Sequence, residues 1–167
     1  MTVPGRQIGL AVRDDIAGIL ELQERNLRRN GGVLSVPMSR EWLEGAVIGD
    51  MPIIVARCDD RIVGYVISSS LTAQSDDPIL HAMLKAHPGS PGCYVYGPVC
   101  VAESERGQGL ARAMFETLCA RLRGRQGFTF IRADNAVSRK VHASMGLHEA
   151  AAFTVADIDY VVVAYRG

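Results

Sequence analysis

A glycine-rich turn stands between a predicted buried strand and a predicted amphipathic helix in residues 99–118, VCVAESERGQGLARAMFETL. Gly107 and Gly109 carry no side chain, so a ligand can approach their backbone N–H groups closely. The first turn of the following helix adds N–H groups without intrahelical partners and a partial positive charge. This junction predicts a binding site for an anion, above all a diphosphate.

The residues around the two glycines distinguish between the known kinds of phosphate loop. A nucleotide P-loop requires Lys and then Ser or Thr after its last glycine, whereas a Leu-Ala pair follows Gly109. A dinucleotide-binding GxGxxG motif that starts at Gly107 requires Gly or Ala at the position of Arg112. A third pattern, Arg/Gln-x-x-Gly-x-Gly/Ala, is met by Arg106, Gly109 and Ala111. The alternative is a tight turn that uses its glycines for geometry alone.

A second informative segment is residues 135–147, NAVSRKVHASMGL. The spacing predicts a helix over residues 137–145, with Val137, Val141 and Met145 forming an apolar stripe at i, i+4 and i+8. Ser138 and His142 form a parallel polar stripe. We expect the apolar stripe to face the core and the hydroxyl and imidazole to point sideways.

Together the two segments resemble the GNAT superfamily of N-acetyltransferases. RGQGLA resembles the acetyl-CoA diphosphate loop of that family, and residues 135–147 resemble its later helix, commonly Asn-x-x-Ala/Ser, then Tyr or His, then Gly-Phe. His142 stands where Tyr is commonest, and Leu147 replaces the usual Phe. The resemblance implies one domain over residues 1–167 with an α/β (α+β) fold, a mixed, largely antiparallel sheet of about seven strands with helices on both faces.

The resemblance also implies a function, the direct transfer of an acetyl group from the cosubstrate acetyl-CoA to the primary amine of a small molecule, with no metal. In the family, the strand before the loop offers backbone N–H groups to the thioester oxygen, and the polar helix edge faces the pantetheine arm and the sulfur. The residues expected to bind the coenzyme are Val99, Cys100, Val101, Arg106, Gly107, Gln108, Gly109, Leu110, Ala111, Asn135 and Ser138.

Two residues are candidates for the proton transfers. His142, with an ordinary pKa of about 6.5, is suited to protonating the departing sulfur or relaying a proton through water; the alternative is a buried helix histidine with a satisfied hydrogen bond. Glu103 is the nearest acid to the expected thioester and could accept the amine proton; the alternative is a solvated loop carboxylate. Cys100 is disfavoured as an acyl carrier, because burial in a strand raises the pKa of a thiol.

Hydrophobic periodicity predicts the remaining elements. The expected strands are residues 8–13, a hairpin of 52–58 and 61–68, a strand of 94–102 interrupted at Gly97-Pro98, then 128–133, 151–155 and 160–165. The expected helices begin after Asp14 or Asp15 and after Ser39, and span 79–84, 108–122 and 137–145. If residues 160–165 form an edge strand, this strand could pair with that of a second copy and form a homodimer.

Composition and charge exclude several classes of protein. Lys and Arg total 18 against 18 for Asp and Glu, without long blocks of one sign, which argues against a nucleic-acid partner. The apolar stretches are shorter than the ~20 residues that span a bilayer, and MTVPGRQIG lacks the apolar core of a secretory signal. These features predict a cytoplasmic protein with no membrane partner. The four cysteines lack CxxC spacing, which predicts reduced thiols. The spacing of His81, His87, Asp76 and Asp77 is irregular, which predicts that they hold no metal.

Two further functions remain open at this stage. One is a module that binds acyl-CoA without turnover, and the other is acetylation of a protein N-terminus or lysine. Arg28 and Arg29 are candidates for lining the acceptor site, although a solvated helix end is the simpler interpretation. The sequence identifies neither the acceptor nor the length of the acyl group.

Overall fold

The computed structural model describes residues 5–32, 34, 37–74 and 76–166. Its strands are β1 (Gln7–Leu10), β2 (Ile53–Cys58), β3 (Arg61–Ser69), β4 (Tyr94–Val101), β5 (Gln126–Arg132), β6 (His148–Val155) and β7 (Ile158–Arg166). Its helices are α1 (Ile16–Asn26), α2 (Arg40–Ala46), α3 (Pro78–Ala86), α4 (Leu110–Arg121) and α5 (Ala136–Ser144). None of the helices described is long and apolar enough to cross a membrane.

The strands form one sheet in the order β1-β2-β3-β4-β5-β7-β6. The pairs β1–β2, β2–β3, β5–β7 and β6–β7 are antiparallel, whereas β4 and β5 run parallel. The parallel pairing joins Tyr94 to Gly127 and Val95 to Phe128, just before the predicted interruption at Gly97-Pro98. The mixed, largely antiparallel sheet is confirmed, as is the predicted hairpin of β2 and β3.

The chain divides into two compact units. The first unit comprises Met1–Ser68 and Gly97–Arg121, and the second comprises Ser69–Tyr96 and Leu122–Gly167. The single domain expected over residues 1–167 stays a prediction.

Helices cover both faces of the sheet within the first unit. Apolar side chains of α1 and α2 pack with inward residues of the strands, and this cluster includes Ile16, Ile19, Leu43, Val55, Tyr65 and Cys100. Gly64 points to the opposite face, because successive residues of a strand alternate. A Cβ at Gly64 would lie 2.9 Å from Cε of Met114 on α4, so the absence of a side chain lets α4 pack directly on β3.

The second unit repeats this arrangement. Leu80 and Met83 of α3 pack with Val95, Phe128 and Val162 on one face. Tyr96 follows Val95 and points to the other face, where its ring meets the imidazole of His142 on α5 edge-on, with centroids 5.7 Å apart.

Of the two helix starts with a predicted cap, one follows the prediction and one does not. Ser39 caps α2 by accepting a hydrogen bond from the N–H of Trp42, as expected. Asp15 precedes α1, yet its carboxylate accepts from the N–H of Val12 and from Arg57 instead of from the helix. The reason is local: residues 13–15 form a 3-10 turn that carries the carboxylate backwards along the chain.

One residue-level prediction is wrong, and one condition for a homodimer is not met. Val137 and Val141 do not face the core, since 76% and 39% of their surface is exposed, whereas His142 is only 8% exposed. The polar stripe of α5 is therefore the inward one. Strand β7 lies between β5 and β6, so residues 160–165 form no edge, and β6 is the edge strand instead.

Candidate active site

The backbone between β4 and α4 leaves a short stretch of N–H groups without internal partners. The N–H of Ala102 donates to the carbonyl of Val63 (2.9 Å), and the 3-10 turn Glu103–Glu105 uses the N–H groups of Glu105 and Arg106. In the described part of the chain, the N–H groups of residues 107–109 donate no backbone hydrogen bond. We call residues 107–109 the glycine turn.

The glycine turn is held open by its backbone conformation. Gly107 and Gly109 have φ of 76° and 79°, in the left-handed region that favours glycine. A Cβ at either position would meet no atom within 4 Å, so these glycines are required by the dihedral angle and not by close packing. The carbonyl of Gly109 accepts from the N–H of Ala113 at 3.0 Å and starts the α4 ladder, so the turn leads directly into the positive end of a helix.

Two ion and amide contacts fix the segment that precedes the glycine turn. The guanidinium of Arg6 binds the buried carboxylate of Glu105 with two hydrogen bonds of 2.8 and 2.9 Å. Arg106 donates from Nε to the carbonyl of Val101 (3.2 Å) and from Nη2 to Oδ1 of Asn26 (2.7 Å). Sequence reasoning found neither contact with Arg6 nor that with Asn26, because the partners lie 99 and 80 residues apart.

Cys100 lies in the strand that precedes the turn, and its thiol belongs to the apolar cluster of the first unit. It is 4% exposed. Burial raises the pKa of this thiol to about 11, although the nearby Tyr65 hydroxyl and Arg106 act in the opposite direction. A thiol that stays protonated at neutral pH is a poor nucleophile, which agrees with the sequence argument.

Glu103 is exposed at the start of the 3-10 turn. It occupies the position between the end of β4 and the glycine turn that the sequence indicated. No hydrogen bond of its carboxylate occurs among the described residues, so both interpretations of this residue, base and solvated carboxylate, stay predictions.

The second group of candidates lies at the start of α5. Asn135 caps this helix, and its Oδ1 accepts from the N–H of Ser138 at 3.1 Å. The hydroxyl of Ser138 lies 3.3 Å from Nδ1 of His142, one helical turn further on. Asn135 therefore has a local structural task that the sequence argument had not assigned to it.

The protonation state of His142 follows from its hydrogen bond. Nδ1 lies 2.7 Å from the carbonyl oxygen of Ser138, which can only accept, so Nδ1 carries the proton. In the neutral imidazole this leaves the lone pair on Nε2. Burial lowers the pKa of His142, and the hydrogen bond to Ser138 offsets part of this effect. The side chain is thus a neutral base with an assigned tautomer.

The predicted residues fall into two groups. Residues 99–111 come together in the first unit, and Asn135, Ser138 and His142 come together in the second. Among the acceptor candidates, Arg29 binds Glu24 with Nη2–Oε2 at 2.6 Å, which favours the solvated helix end for that residue. Arg28 is exposed beside it.

Two of the four residues considered for a metal site, Asp77 and His87, have other contacts. Asp77 caps α3 through the N–H groups of Ile79 and Leu80, and the ring of His87 packs edge-on against Phe128. Among the residues that the structure describes, no three or more His, Cys, Asp or Glu side chains are grouped so that they could hold an ion.

Comparison with known proteins identifies the family and the fold. The sequence profile described as the acetyltransferase (GNAT) family matches residues 16–152, which include the glycine turn and all of α5. The chain belongs to the GNAT acetyltransferase family. It is accordingly an acyltransferase. No curated protein sequence matches this GNAT protein.

Solved structures share the whole GNAT fold at low sequence identity. A ribosomal-protein-alanine N-acetyltransferase from Brucella melitensis is 20% identical with a TM-score of 0.73, and the match covers 96% of this chain and 99% of that one. The protein yncA of Salmonella typhimurium, described as an acetyltransferase and solved with its cofactor acetyl-CoA, is 17% identical with a TM-score of 0.71 over 97% and 94% of the two chains. An N-acetyltransferase from Staphylococcus aureus Mu50 is 18% identical with a TM-score of 0.69 over 96% and 98%. At these identities the likeness concerns the fold alone.

Proposed function

We propose that this GNAT protein transfers an acetyl group from acetyl-CoA directly to the primary amine of a small molecule. The observation that carries the proposal is the glycine turn, with N–H groups that have no backbone acceptor, open space beside both glycines and a helix start behind it. Membership of the family, and a structural neighbour solved with acetyl-CoA, support this coenzyme.

The charges around the turn fit a diphosphate. A helix start attracts anions through its N–H groups and its dipole. Glu105 is the carboxylate closest in sequence to the glycines, and its charge is compensated by the two hydrogen bonds from Arg6. The segment therefore presents peptide N–H groups without an uncompensated buried acid.

The coenzyme supplies an activated acyl group as a thioester, and the protein must supply proton transfer and charge stabilisation. An alkylamine has a pKa of about 10, so it must lose a proton before it can attack at neutral pH. We assign this step to His142, whose Nε2 is the acceptor nitrogen, with Glu103 as the alternative base. The lowered pKa of His142 keeps the imidazole neutral at neutral pH, so the lone pair of Nε2 is available to take up a proton, which the imidazolium then readily releases.

Two further parts of the proposal concern the β4 strand. Backbone N–H groups of residues 99–101 are assigned to the thioester oxygen, where negative charge develops during transfer. Direct transfer, without an acyl group on the enzyme, is supported by the raised pKa of the Cys100 thiol. A homodimer and a cytoplasmic location stay predictions.

The deciding experiment measures release of free thiol from acetyl-CoA with a panel of small amines and, separately, with peptides that begin with alanine. We expect thiol release with at least one small amine and an acetylated product in the mass spectrum. Thiol release with peptides alone would contradict a small-molecule acceptor and indicate a protein acceptor instead. Coenzyme binding in a calorimeter without thiol release in either panel, also at alkaline pH, would identify a binding module and contradict the proposal.

A further inference from the structure

We propose that Arg106 is a positioning residue that couples the glycine turn to the turn that follows α1. This inference rests on the proposed function, because it assumes that the glycine turn binds the coenzyme. We call residues 27–32 the post-α1 turn. Arg106 immediately precedes the glycine turn and reaches Asn26, the last residue of α1, with an Nη2–Oδ1 distance of 2.7 Å.

Both ends of the Arg106 side chain are anchored. Its Nε donates to the carbonyl of Val101 at the end of β4, and its Nη2 donates to Asn26. The guanidinium places these two donors on separate nitrogens in a fixed plane, whereas all three donors of a lysine ammonium share one nitrogen. The side chain therefore spans from the strand that leads into the glycine turn to the end of α1.

Asn26 is equally constrained on its side. It is 7% exposed, and its Nδ2 donates to the carbonyl of Leu22 at 2.8 Å. The amide nitrogen thus faces the helix and the amide oxygen faces Arg106, so both polar groups of the side chain are used. A side chain held in this way transmits a displacement of Arg106 to the helix end.

The post-α1 turn is built on the backbone of the same residue. The carbonyl of Asn26 accepts from the N–H of Leu34 at 3.0 Å, and the N–H of Gly32 donates to the carbonyl of Leu27 at 3.0 Å. A Cβ at Gly32 would lie 1.9 Å from the carbonyl oxygen of Asn26, so the turn folds against Asn26 only with glycine there. Asn26 therefore holds the post-α1 turn through its backbone and Arg106 through its side chain.

This geometry predicts that occupancy of the glycine turn stabilises the post-α1 turn. Hydrogen exchange measures the effect at the N–H groups of Arg28, Gly32 and Leu34, which donate to the carbonyls of Leu34, Leu27 and Asn26. A second readout is the emission of Trp42, the only tryptophan, which packs against the same apolar cluster as Leu34.

The test variant is Arg106→Gln. Glutamine also satisfies the Arg/Gln-x-x-Gly-x-Gly/Ala pattern, so the glycine turn is retained, but its shorter side chain does not reach both Val101 and Asn26. The matched control is Glu105→Gln, which changes the preceding residue, whose partner is Arg6 and not α1. Calorimetry with CoA is run on each protein, so coenzyme binding and coupling are measured separately.

We expect CoA to slow exchange at the N–H groups of Arg28, Gly32 and Leu34 of the wild-type protein by about five-fold and to shift the Trp42 emission. In Arg106→Gln, measured at CoA concentrations that saturate the variant by calorimetry, both responses disappear, whereas Glu105→Gln retains them. Arg106→Lys, whose donors all lie on one nitrogen, shows an intermediate response; if Arg106→Gln fails to fold, this variant decides, and a wild-type response in it overturns the inference.

Other outcomes are equally decisive. If wild-type protein binds CoA and exchange at the N–H groups of Arg28, Gly32 and Leu34 does not change, or if the change is the same in Arg106→Gln, the coupling is refuted while the coenzyme site stands. If wild-type protein does not bind CoA at all, the proposed function fails, and this inference fails with it.

Discussion

The glycine turn and the polar edge of α5 differ in the kind of group that is assigned to the chemistry: backbone groups in the turn, and a side chain on α5. In the glycine turn the groups that we assign to coenzyme binding are peptide N–H groups, and the side chains just before it, Glu105 and Arg106, contact Arg6 and Asn26. On α5 the group that we assign to proton transfer is a side-chain nitrogen, and the backbone carbonyl of Ser138 fixes its tautomer. Coenzyme binding at the glycine turn should therefore depend on the charge of a substituted side chain. Turnover at the α5 edge should depend on which nitrogen of the imidazole the substituted side chain can replace.

The largest expected effect comes from Gly109→Asp, compared with Gly109→Asn. Both side chains have the same shape and tolerate the left-handed backbone, so both variants should lose about 1 kcal/mol of stability. Only Asp places a negative charge beside the proposed diphosphate, and such like-charge contacts cost several kcal/mol. We expect Gly109→Asp to weaken CoA binding about 1,000-fold in calorimetry, roughly 4 kcal/mol, while Gly109→Asn stays close to wild type.

Two outcomes of the Gly109 comparison would contradict this prediction. Equal weakening by Asp and Asn would mean that backbone strain, and not charge, governs the site. Wild-type affinity in both variants would remove the glycine turn from coenzyme binding.

The next effect tests the α5 edge with His142→Asn and His142→Ala. The Asn amide retains a donor at the position of Nδ1, and so keeps the hydrogen bond to the carbonyl of Ser138, but it has nothing in place of Nε2. If Nε2 accepts the amine proton, both variants lose about 100-fold in turnover, with little change in CoA affinity. Steady-state rates and calorimetry measure the two quantities. Wild-type turnover in His142→Asn would show that the histidine is structural.

A smaller effect is expected at Cys100, which lies in the strand leading to the glycine turn but contributes its side chain to the core. Cys100→Ala should cost about 1 kcal/mol in urea denaturation, because a buried sulfur is lost. Turnover should be unchanged, and initial-velocity lines should intersect, because no acyl group is carried by the enzyme. Parallel lines in the wild type, with loss of turnover in the variant, would instead indicate a covalent acyl-cysteine.

The sequence predicted the glycine turn well because its signal is local. A left-handed backbone at Gly107 and Gly109 is a property of single residues, and the strand before and helix after them have clear apolar patterns. The contacts of Arg6 with Glu105 and of Asn26 with Arg106 had no such local signal, since they join positions 99 and 80 residues apart.

The α5 edge shows a different limit of sequence reasoning. Two neighbouring stripes run along this helix, and the period alone cannot say which of them faces inward. The apolar stripe containing Val137 was the natural choice, yet His142 is buried and Val137 is 76% exposed. Burial at that position depends on what lies beneath the helix, here the ring of Tyr96, which is distant in sequence.

The smallest effect separates the two regions by pH. The folded pKa of His142 is lowered by burial, so the unfolded chain takes up the proton first as the pH falls. Stability that is present above the unfolded value of about 6.5 is therefore lost as the pH drops towards the folded pKa, with a slope of at most about 1.4 kcal/mol per pH unit. Urea denaturation at pH 7.5 and 5.5 (about one unit on either side of that value) should show a smaller loss for His142→Asn than for wild type. Gly109→Asn, which changes no titratable group, should lose as much as wild type, because the glycine turn works through peptide groups that do not titrate. An identical loss in all three proteins would mean that His142 has the same proton affinity folded and unfolded, and that the neutral-base assignment is wrong.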